Sequence, residues 1–161
     1  MRDIVDSFLK HLSHVRRLSP HTTRNYARDL NQLLSWLEDK KHPGATQVEK
    51  IDVIAIRGFL ASRHGRDKSR TVNRKLSAVR TFFRYCVRHQ ILEASPAEMI
   101  DSPKQPKDLP RALTVDEAFR FCSAPDVQEP SGIRDAAVIE LLYATGIRVS
   151  ELCALNLSDV D

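Results

Sequence analysis

Cysteine is scarce in this sequence, and metal-binding patterns are missing from it. Its three cysteines, Cys86, Cys122 and Cys153, are odd in number, far apart and set in apolar helical patterns. This argues against disulfides and zinc, and it predicts three small buried side chains. None of the six histidines has the spacing from cysteine or a carboxylate that would indicate a metal or a triad. We therefore expect no metal and no cofactor.

Long apolar runs are also missing. No stretch approaches the roughly 20 residues that a membrane span needs. Met1-Arg2-Asp3 leads directly into a polar amphipathic segment rather than a signal peptide. With 42% hydrophobic and 29% charged residues, the 161-residue chain has the composition of one or two small globular domains. We expect a cytoplasmic protein that has no membrane partner.

Charge is distributed unevenly along the chain. Residues 1–111 contain 22 Lys and Arg against 12 Asp and Glu, a balance of +10, whereas residues 112–161 contain 3 against 9, a balance of −6. The first part is suited to a polyanion, and its binding should weaken with salt because counterions are released. A basic surface that serves only solubility is the alternative at this point.

Three amphipathic helices are predicted before residue 64. The first spans Asp3 to Val15, and the third spans Ile51 to Arg63. Ser19-Pro20 is a strong start signal for the second, with a hydroxyl N-cap followed by proline at the first helical position. Its apolar stripe faces away from Arg24 and Arg28. The predicted apolar positions of the second and third helices are Tyr26, Leu30, Leu33, Leu34, Leu37, Ile51, Ile54, Ile56, Phe59 and Leu60.

A fourth helix, Ser69 to His89, combines an apolar face with a cationic one. Projection at 100° per residue places its apolar residues, from Val72 to Val87, in an arc of roughly 140°. Its arginines fall on the far side, and no acid occurs between Lys68 and Gln90. A solvated face usually mixes charges of both signs, so this face predicts DNA contact.

Residues near the start of that helix, Arg70, Asn73 and Arg74, could enter the major groove and reach base edges, whereas cations near helix ends mostly bind phosphates. The full set of candidate DNA-binding residues is Thr22, Arg24, Arg28, Arg70, Asn73, Arg74, Ser77, Arg80, Thr81 and Arg84.

A proline-bearing polar segment, Asp101 to Leu109, predicts an extended linker between two domains, residues 1–107 and 108–161. Thr114 and Glu117 form the pattern of a capping box that opens the next helix. Asp135 to Ala144 is almost continuously apolar and predicts a helix buried on most of its circumference. We expect Gly146 to end it and a short helix to run from about Ile147 to Ala154.

Arg148 lies at the junction of those two helices. The three-residue offset to Glu151 lets the carboxylate share its helix face and orient the guanidinium, which suits a phosphate. By itself such a pair is usually a surface ion pair of little consequence.

The surrounding residues, RDAAVIELLYATGIRVSELCALNLSDVD, resemble the opening of the catalytic domain of tyrosine site-specific recombinases of the Xer type. Leu18 to Leu30 and Arg74 to Phe83 resemble the second and fourth helices of that family's four-helix, SAM-like core-binding domain. The resemblance implies an all-α fold: this core-binding domain, a linker, and the first helices of a truncated catalytic domain.

The resemblance also implies roles and partners. Arg148 matches the first of the family's catalytic arginines, which bind the scissile DNA phosphate, and Glu151 matches the acid that supports it. The implied partners are a double-stranded DNA recombination site and other recombinase subunits in a tetrameric synapse. The two domains would close around the duplex.

The family cleaves DNA with a tyrosine that attacks the phosphate, and it needs further residues downstream: a lysine, a His-x-x-Arg motif, a His or Trp and the tyrosine. None of these follows Arg148 in the sequence, which has 13 residues after it. We therefore nominate none of Tyr26, Tyr85 and Tyr143 as the nucleophile, and we expect the chain alone to bind DNA without cleaving it.

Two alternatives are a non-catalytic DNA-binding regulator derived from an integrase, and a helical adaptor without a nucleic-acid partner. If the chain is a recombinase or a DNA-binding regulator, reversal of Arg74 and Arg80 to Glu should abolish DNA binding. If it is an adaptor, the same change should leave partner binding largely intact. Residues 112–161 form a small domain near the lower limit for an independent core, so we expect an exposed apolar surface that self-associates or packs on the first domain.

Overall fold

The computed structural model describes residues 1–102 and 112–159, except for the side chain of Leu157. All regular structure in these ranges is helical. The chain forms two compact units, Met1–Lys107 and Asp108–Asp161. Most of the proline-bearing segment predicted as a linker lies outside the described residues.

Four α-helices form the first unit: α1 Arg2–Lys10, α2 Pro20–Asp39, α3 Val53–Arg63 and α4 Ser69–Arg88. The start predicted at Ser19-Pro20 is confirmed, because the Ser19 hydroxyl oxygen accepts a 3.2 Å hydrogen bond from the backbone N–H of Thr22. The first predicted helix is α-helical only as far as Lys10. A π-helical turn, His11–Val15, continues it, and short 3-10 turns occupy Pro43–Ala45 and Val48–Lys50.

The core of the first unit lies where the apolar stripes of the four helices meet. Phe8, Phe59, Phe82 and Phe83 are fully buried, and the rings of Phe8 and Phe82 meet edge to face at 5.5 Å. Each such side chain contributes about 1.5–3 kcal/mol relative to an exposed position. The apolar face predicted for α4 is confirmed except at Val87, which is only partly buried.

Ile54 was expected in the apolar stripe of the third helix, and this was wrong. Its side chain is 77% exposed, whereas Ala55, Ile56, Phe59 and Leu60 are buried. At 100° per residue, Ile54 lies almost opposite the centre of these four positions. The exposure of Ile54 follows from that geometry.

The second unit contains α5 Val115–Cys122, α6 Pro130–Thr145 and α7 Val149–Leu152, followed by a 3-10 turn, Leu157–Asp159. The predicted capping box is confirmed: Glu117 accepts from the Thr114 backbone N–H at 2.9 Å, and Thr114 accepts from the Glu117 backbone N–H at 3.3 Å. Gly146 ends α6 in the left-handed conformation with a φ of 64°. The last helix is shorter than predicted.

The expectation that α6 is buried around most of its circumference was wrong. Gly132 is its only fully buried residue among those described, and Tyr143 is 72% exposed. The other two helices of this unit are too short to cover α6 on all sides. The exposed apolar surface expected for residues 112–161 is therefore present in the described part of that range, and it includes Phe119 and Phe121 of α5.

The three cysteines do not share one environment. Cys86 is buried as expected, and burial raises the pKa of its thiol to about 12. Cys122 is only partly buried and Cys153 is exposed, so the prediction of three buried thiols was wrong for the second unit. The reason is the same thin packing that exposes α6.

Candidate nucleic-acid interface and catalytic arginine

The cationic face of α4 is divided between exposed residues and residues held by the fold. Arg70 and Ser77 are exposed, and Arg70 has no hydrogen-bond or ion-pair partner among the residues that the structure describes. Thr81 donates its hydroxyl to the Ser77 carbonyl at 2.8 Å, a bond within the helix. Asn73 is partly buried. Of the candidate residues in the first two turns of α4, Arg70 is thus the exposed cation without a partner in the described part of the chain.

Arg74 is bound to α2. Its Nη1 donates to the carboxylate of Asp29, which is only 1% exposed, while 40% of the Arg74 side chain remains exposed. Lys75, the next residue, is 3% exposed, and its ammonium lies 3.5 Å from Asp29 Oδ1 and 3.6 Å from Asp67 Oδ2. It also donates to the side-chain oxygen of Gln32. This buried ionic group joins α2 to α4 and orients the Arg74 guanidinium at the surface.

Arg80 is held by the segment that follows α4. Its guanidinium donates to the backbone carbonyl oxygens of Ile100 and Ala97, the latter at 3.4 Å, and to the Ser102 hydroxyl at 3.0 Å. All three of its nitrogens therefore have partners within the protein. We infer that Arg80 fixes this segment, and two of its five N–H groups remain for a ligand.

Arg84 lies one turn further along α4. Its Nε donates to Glu98 at 2.8 Å, and the two side chains are 60% and 49% exposed. The hydrogen bond from Arg84 is the main reason that the pKa of the Glu98 carboxyl is lowered, and the same bond raises the pKa of Arg84. The bond uses one of its three nitrogens, so the guanidinium can still bind a phosphate.

The candidates on α2 are at its N-terminal end and its exposed side. The hydroxyl groups of Thr22 and Ser19 are 2.8 Å apart, so Thr22 is part of the helix cap. Arg24 is exposed, and its Nε makes a long 3.4 Å bond to the carbonyl of Pro20. Arg28 is exposed and has no polar partner in residues 1–102 or 112–159. Arg24, Arg28 and Arg70 are the predicted residues that remain most available to a ligand.

Three residues that sequence reasoning missed are Asp29, Lys75 and Glu98. A signal existed for Lys75, because the helical projection places it inside the apolar arc of α4, between Phe82 and Cys86. A lysine at such a position must be paired if it is to be buried. Asp29 also projects near the edge of the apolar stripe of α2. No local pattern indicates that Glu98 pairs with Arg84.

The predicted pair of Arg148 and Glu151 is present, although Arg148 is the N-cap of α7 rather than a residue within the helix. Arg148 Nη1 donates to Glu151 Oε1 at 2.9 Å, and the backbone N–H of Arg148 donates to Glu151 Oε2 at 2.7 Å. The carboxylate therefore holds both the main chain and the side chain of the arginine at the start of α7. The Arg148 side chain is still 82% exposed. It can offer its remaining N–H groups to an oxyanion in a nearly fixed direction.

The described residues contain no cluster of three or more histidines, cysteines or carboxylates that could hold a metal ion. Across residues 1–102 and 112–159, none of the helices combines the length and the apolar character required to cross a membrane.

Residues 5–90 match the family described as Phage integrase, N-terminal SAM-like domain, and residues 111–161 match the Phage integrase family. The fold resembles that of a lambda integrase dimer bound to a COC' core site, with a TM-score of 0.73 and 20% identity over 100% of this chain and 55% of that one. The all-helical fold is thus an integrase fold, with a SAM-like first unit and part of a catalytic domain as the second.

Curated relatives extend the match over almost the whole chain. The tyrosine recombinase XerC of Myxococcus xanthus is 38% identical over 98% of this chain, and that of Alcanivorax borkumensis is 42% identical over 98%. The alignments cover 52% and 50% of these relatives, so the chain spans about half of their length. The chain belongs to the phage integrase family, and the curated relatives that it matches are tyrosine recombinases named XerC.

Proposed function

We propose that this chain acts in site-specific DNA recombination as the DNA-binding unit and the first part of the catalytic unit of a Xer-like tyrosine recombinase. The observation that carries the proposal is the geometry of Arg148, which is held at two points by Glu151 and is nevertheless 82% exposed. In a member of this family, such a guanidinium is suited to bind the non-bridging oxygens of a DNA phosphate.

Arg148 would stabilise the negative charge that builds up on the phosphate during attack by a tyrosine. Glu151 acts on the arginine rather than on DNA, because both of its oxygens accept from Arg148. Glu151 reduces the number of orientations that the Arg148 guanidinium samples, and this lowers the entropy lost when a phosphate binds. Tyr143 lies within α6 and Tyr26 and Tyr85 within α2 and α4, and none of them is proposed as the nucleophile.

The first unit would bind duplex DNA through the exposed parts of α2 and α4. Arg24, Arg28 and Arg70 are the residues proposed to contact phosphates or base edges directly. Arg74 would contact DNA in an orientation fixed by Asp29. The proposed partners are a double-stranded recombination site and other recombinase subunits in a tetrameric synapse, and the proposed location is the cytoplasm, where bacterial DNA lies.

DNA affinity tests the interface directly. Fluorescence anisotropy with a labelled duplex should show saturable binding at near-physiological salt. The double variant Arg28→Gln/Arg70→Gln should bind at least tenfold more weakly and have a salt slope smaller by about 2, since two phosphate contacts are lost. The matched control, Arg57→Gln/Arg120→Gln, removes two exposed arginines outside the proposed interface. Equal affinities of the two double variants would contradict the proposal.

An integrase-derived regulator that binds DNA without cutting it would share this interface, so affinity alone does not separate the two functions. The coding sequence beyond Asp161 distinguishes the recombinase from the regulator. An in-frame His-x-x-Arg motif followed by a tyrosine supports the recombinase, and a stop codon supports the regulator. The adaptor without a nucleic-acid partner requires that the chain bind no duplex at all.

A further inference from the structure

An open cavity of about 260 Å³ in the first unit has a composition that the proposed DNA contacts do not explain. Its walls come from the end of α1 and the π-helical turn, from α2 and from the second half of α4. Three arginines line it, Arg16, Arg84 and Arg88, and no acidic residue does. Aromatic side chains, including Tyr26 and Tyr85, form much of the rest.

The π-helical turn, His11–Val15, shapes one wall of this cavity. A π-helical turn is an uncommon element that is often found at functional sites, because it inserts an additional residue and redirects the side chains around it. Here the ring of His11 lies 5.2 Å from that of Tyr85, and the ring of His89 lies 4.2 Å from Tyr85 and 5.5 Å from His11. The three rings form an aromatic group beside the arginines.

The positive charge at the cavity is not compensated locally. Arg16 and Arg88 are exposed, and neither side chain has a hydrogen-bond or ion-pair partner within the described part of the chain. Arg84 is the exception, with one nitrogen on Glu98. Burial lowers the pKa of His11, and the charges of His89, Arg16 and Arg88 lower it further. Three guanidinium groups and no lining acid give a cavity that attracts anions.

We propose that this cavity binds a nucleotide, with its phosphate on Arg16, Arg84 and Arg88 and a ring against Tyr85 and His11. The cavity of about 260 Å³ has room for several water molecules, each of which occupies roughly 30 Å³ of liquid, so a ligand larger than a single phosphate fits it. Guanidinium groups bind phosphate oxygens in pairs of hydrogen bonds, and aromatic side chains stack on bases. The nucleotide can belong to a DNA strand, in which case the inference rests on the proposed function, or it can be free.

Proton NMR of the whole chain tests the site, with thymidine 5′-monophosphate as the probe and the imidazole signal of His11 as the reporter, assigned with the variant His11→Gln. The nucleotide should shift this signal saturably, and thymidine, which lacks the phosphate, should bind at least tenfold more weakly. Arg16→Gln and Arg88→Gln should each weaken nucleotide binding about tenfold, the loss of one charge-assisted contact. Arg17→Gln, which removes the neighbouring exposed arginine, should leave it unchanged.

Competition identifies the source of the nucleotide. If a duplex displaces thymidine 5′-monophosphate from the His11 site, the natural ligand is a nucleotide of the DNA strand. If both are bound together, the ligand is a free nucleotide. The inference is overturned if no probe shifts the His11 signal, or if Arg16→Gln and Arg88→Gln bind the nucleotide as well as Arg17→Gln does.

The same experiments keep this inference separate from the proposed function. If the chain binds a duplex without a shift of the His11 signal and does not bind the nucleotide, the cavity site is overturned and the DNA interface stands. Nucleotide binding at His11 in a chain that binds no duplex overturns the DNA interface and leaves the cavity site as a site for a free nucleotide.

Discussion

The two units of this chain use similar apolar helices with opposite results. In the first unit, α4 buries its apolar stripe except for Val87, and it also buries Lys75, whose charge is balanced by Asp29 and Asp67. In the second unit, α6 is more apolar than α4, and almost none of it is buried. The difference shows that an apolar pattern identifies the face of a helix that gains stability from burial, whereas the neighbouring helices determine whether that face is buried.

Removal of a core ring should give the largest contrast between the units. Phe82→Ala should destabilise the first unit by about 3–5 kcal/mol, because it leaves a cavity in a closely packed core. Phe119→Ala in α5, which removes a ring that is 73% exposed, should change the free energy of unfolding by less than about 0.5 kcal/mol. Urea denaturation followed by circular dichroism measures both.

Sedimentation velocity sharpens that contrast. If the exposed apolar surface of the second unit is covered by self-association, Phe119→Ala should lower the fraction of dimer while Phe82→Ala leaves it unchanged. A strictly monomeric chain whose second unit is well folded would show that the surface needs no such partner.

Loss of the buried carboxylate should have the next largest effect. Asp29→Ala leaves Lys75 buried beside only Asp67 and Gln32, and it should cost about 3 kcal/mol of stability. It also releases Arg74, so duplex affinity should fall even under conditions where the variant remains folded. Asp39→Ala at the exposed end of α2 is the matched control, and its stability should stay within about 0.5 kcal/mol of the unmodified chain.

Substitutions of Arg80 and Arg70 should affect different properties, the stability of the fold and the affinity for duplex DNA. Arg80→Gln removes donors to two backbone carbonyl groups and should cost about 1–3 kcal/mol, whereas Arg70→Gln should leave the melting temperature unchanged and weaken duplex binding. Thermal melts and anisotropy on the same samples measure both. Reversal of Arg74 and Arg80 to Glu, which the charge pattern favours as a DNA-binding test, would disturb the fold through Asp29 and Ile100. Equal loss of stability in the two single glutamine variants would argue against this division.

The smallest effect concerns pH. Because Arg84 lowers the pKa of the Glu98 carboxyl below its usual value of 4.5, the pair stabilises the fold above that value, and the contribution is lost as the pH falls through the lower folded-state pKa. The melting temperature of Glu98→Gln should therefore lie slightly below that of the unmodified chain at pH 7 and converge with it towards pH 3. High salt should reduce the difference, since the pair is exposed. A difference that persists at pH 3 would rule out the ion pair as its cause.

Much of the candidate site could be predicted from local patterns. Ser19-Pro20, the Thr114–Glu117 box and Gly146 act within a few residues, so the ends of their helices follow from sequence. The Arg148–Glu151 pair is likewise a local contact. The hydrogen bonds of Arg74, Arg80 and Arg84 within the protein could not be predicted, because the partners lie 45, 20 and 14 residues away along the chain.

By itself, the sequence determined the helices, their caps, the separation of basic from acidic charge and the fork at Arg148, because these depend on neighbours within one or two turns. Only the tertiary structure decided which arginines remain available, since a cation is free or engaged according to the groups that folding brings beside it. It also decided that α4 is covered and α6 is not. Burial requires two surfaces in contact, and the sequence of one helix specifies only one of them.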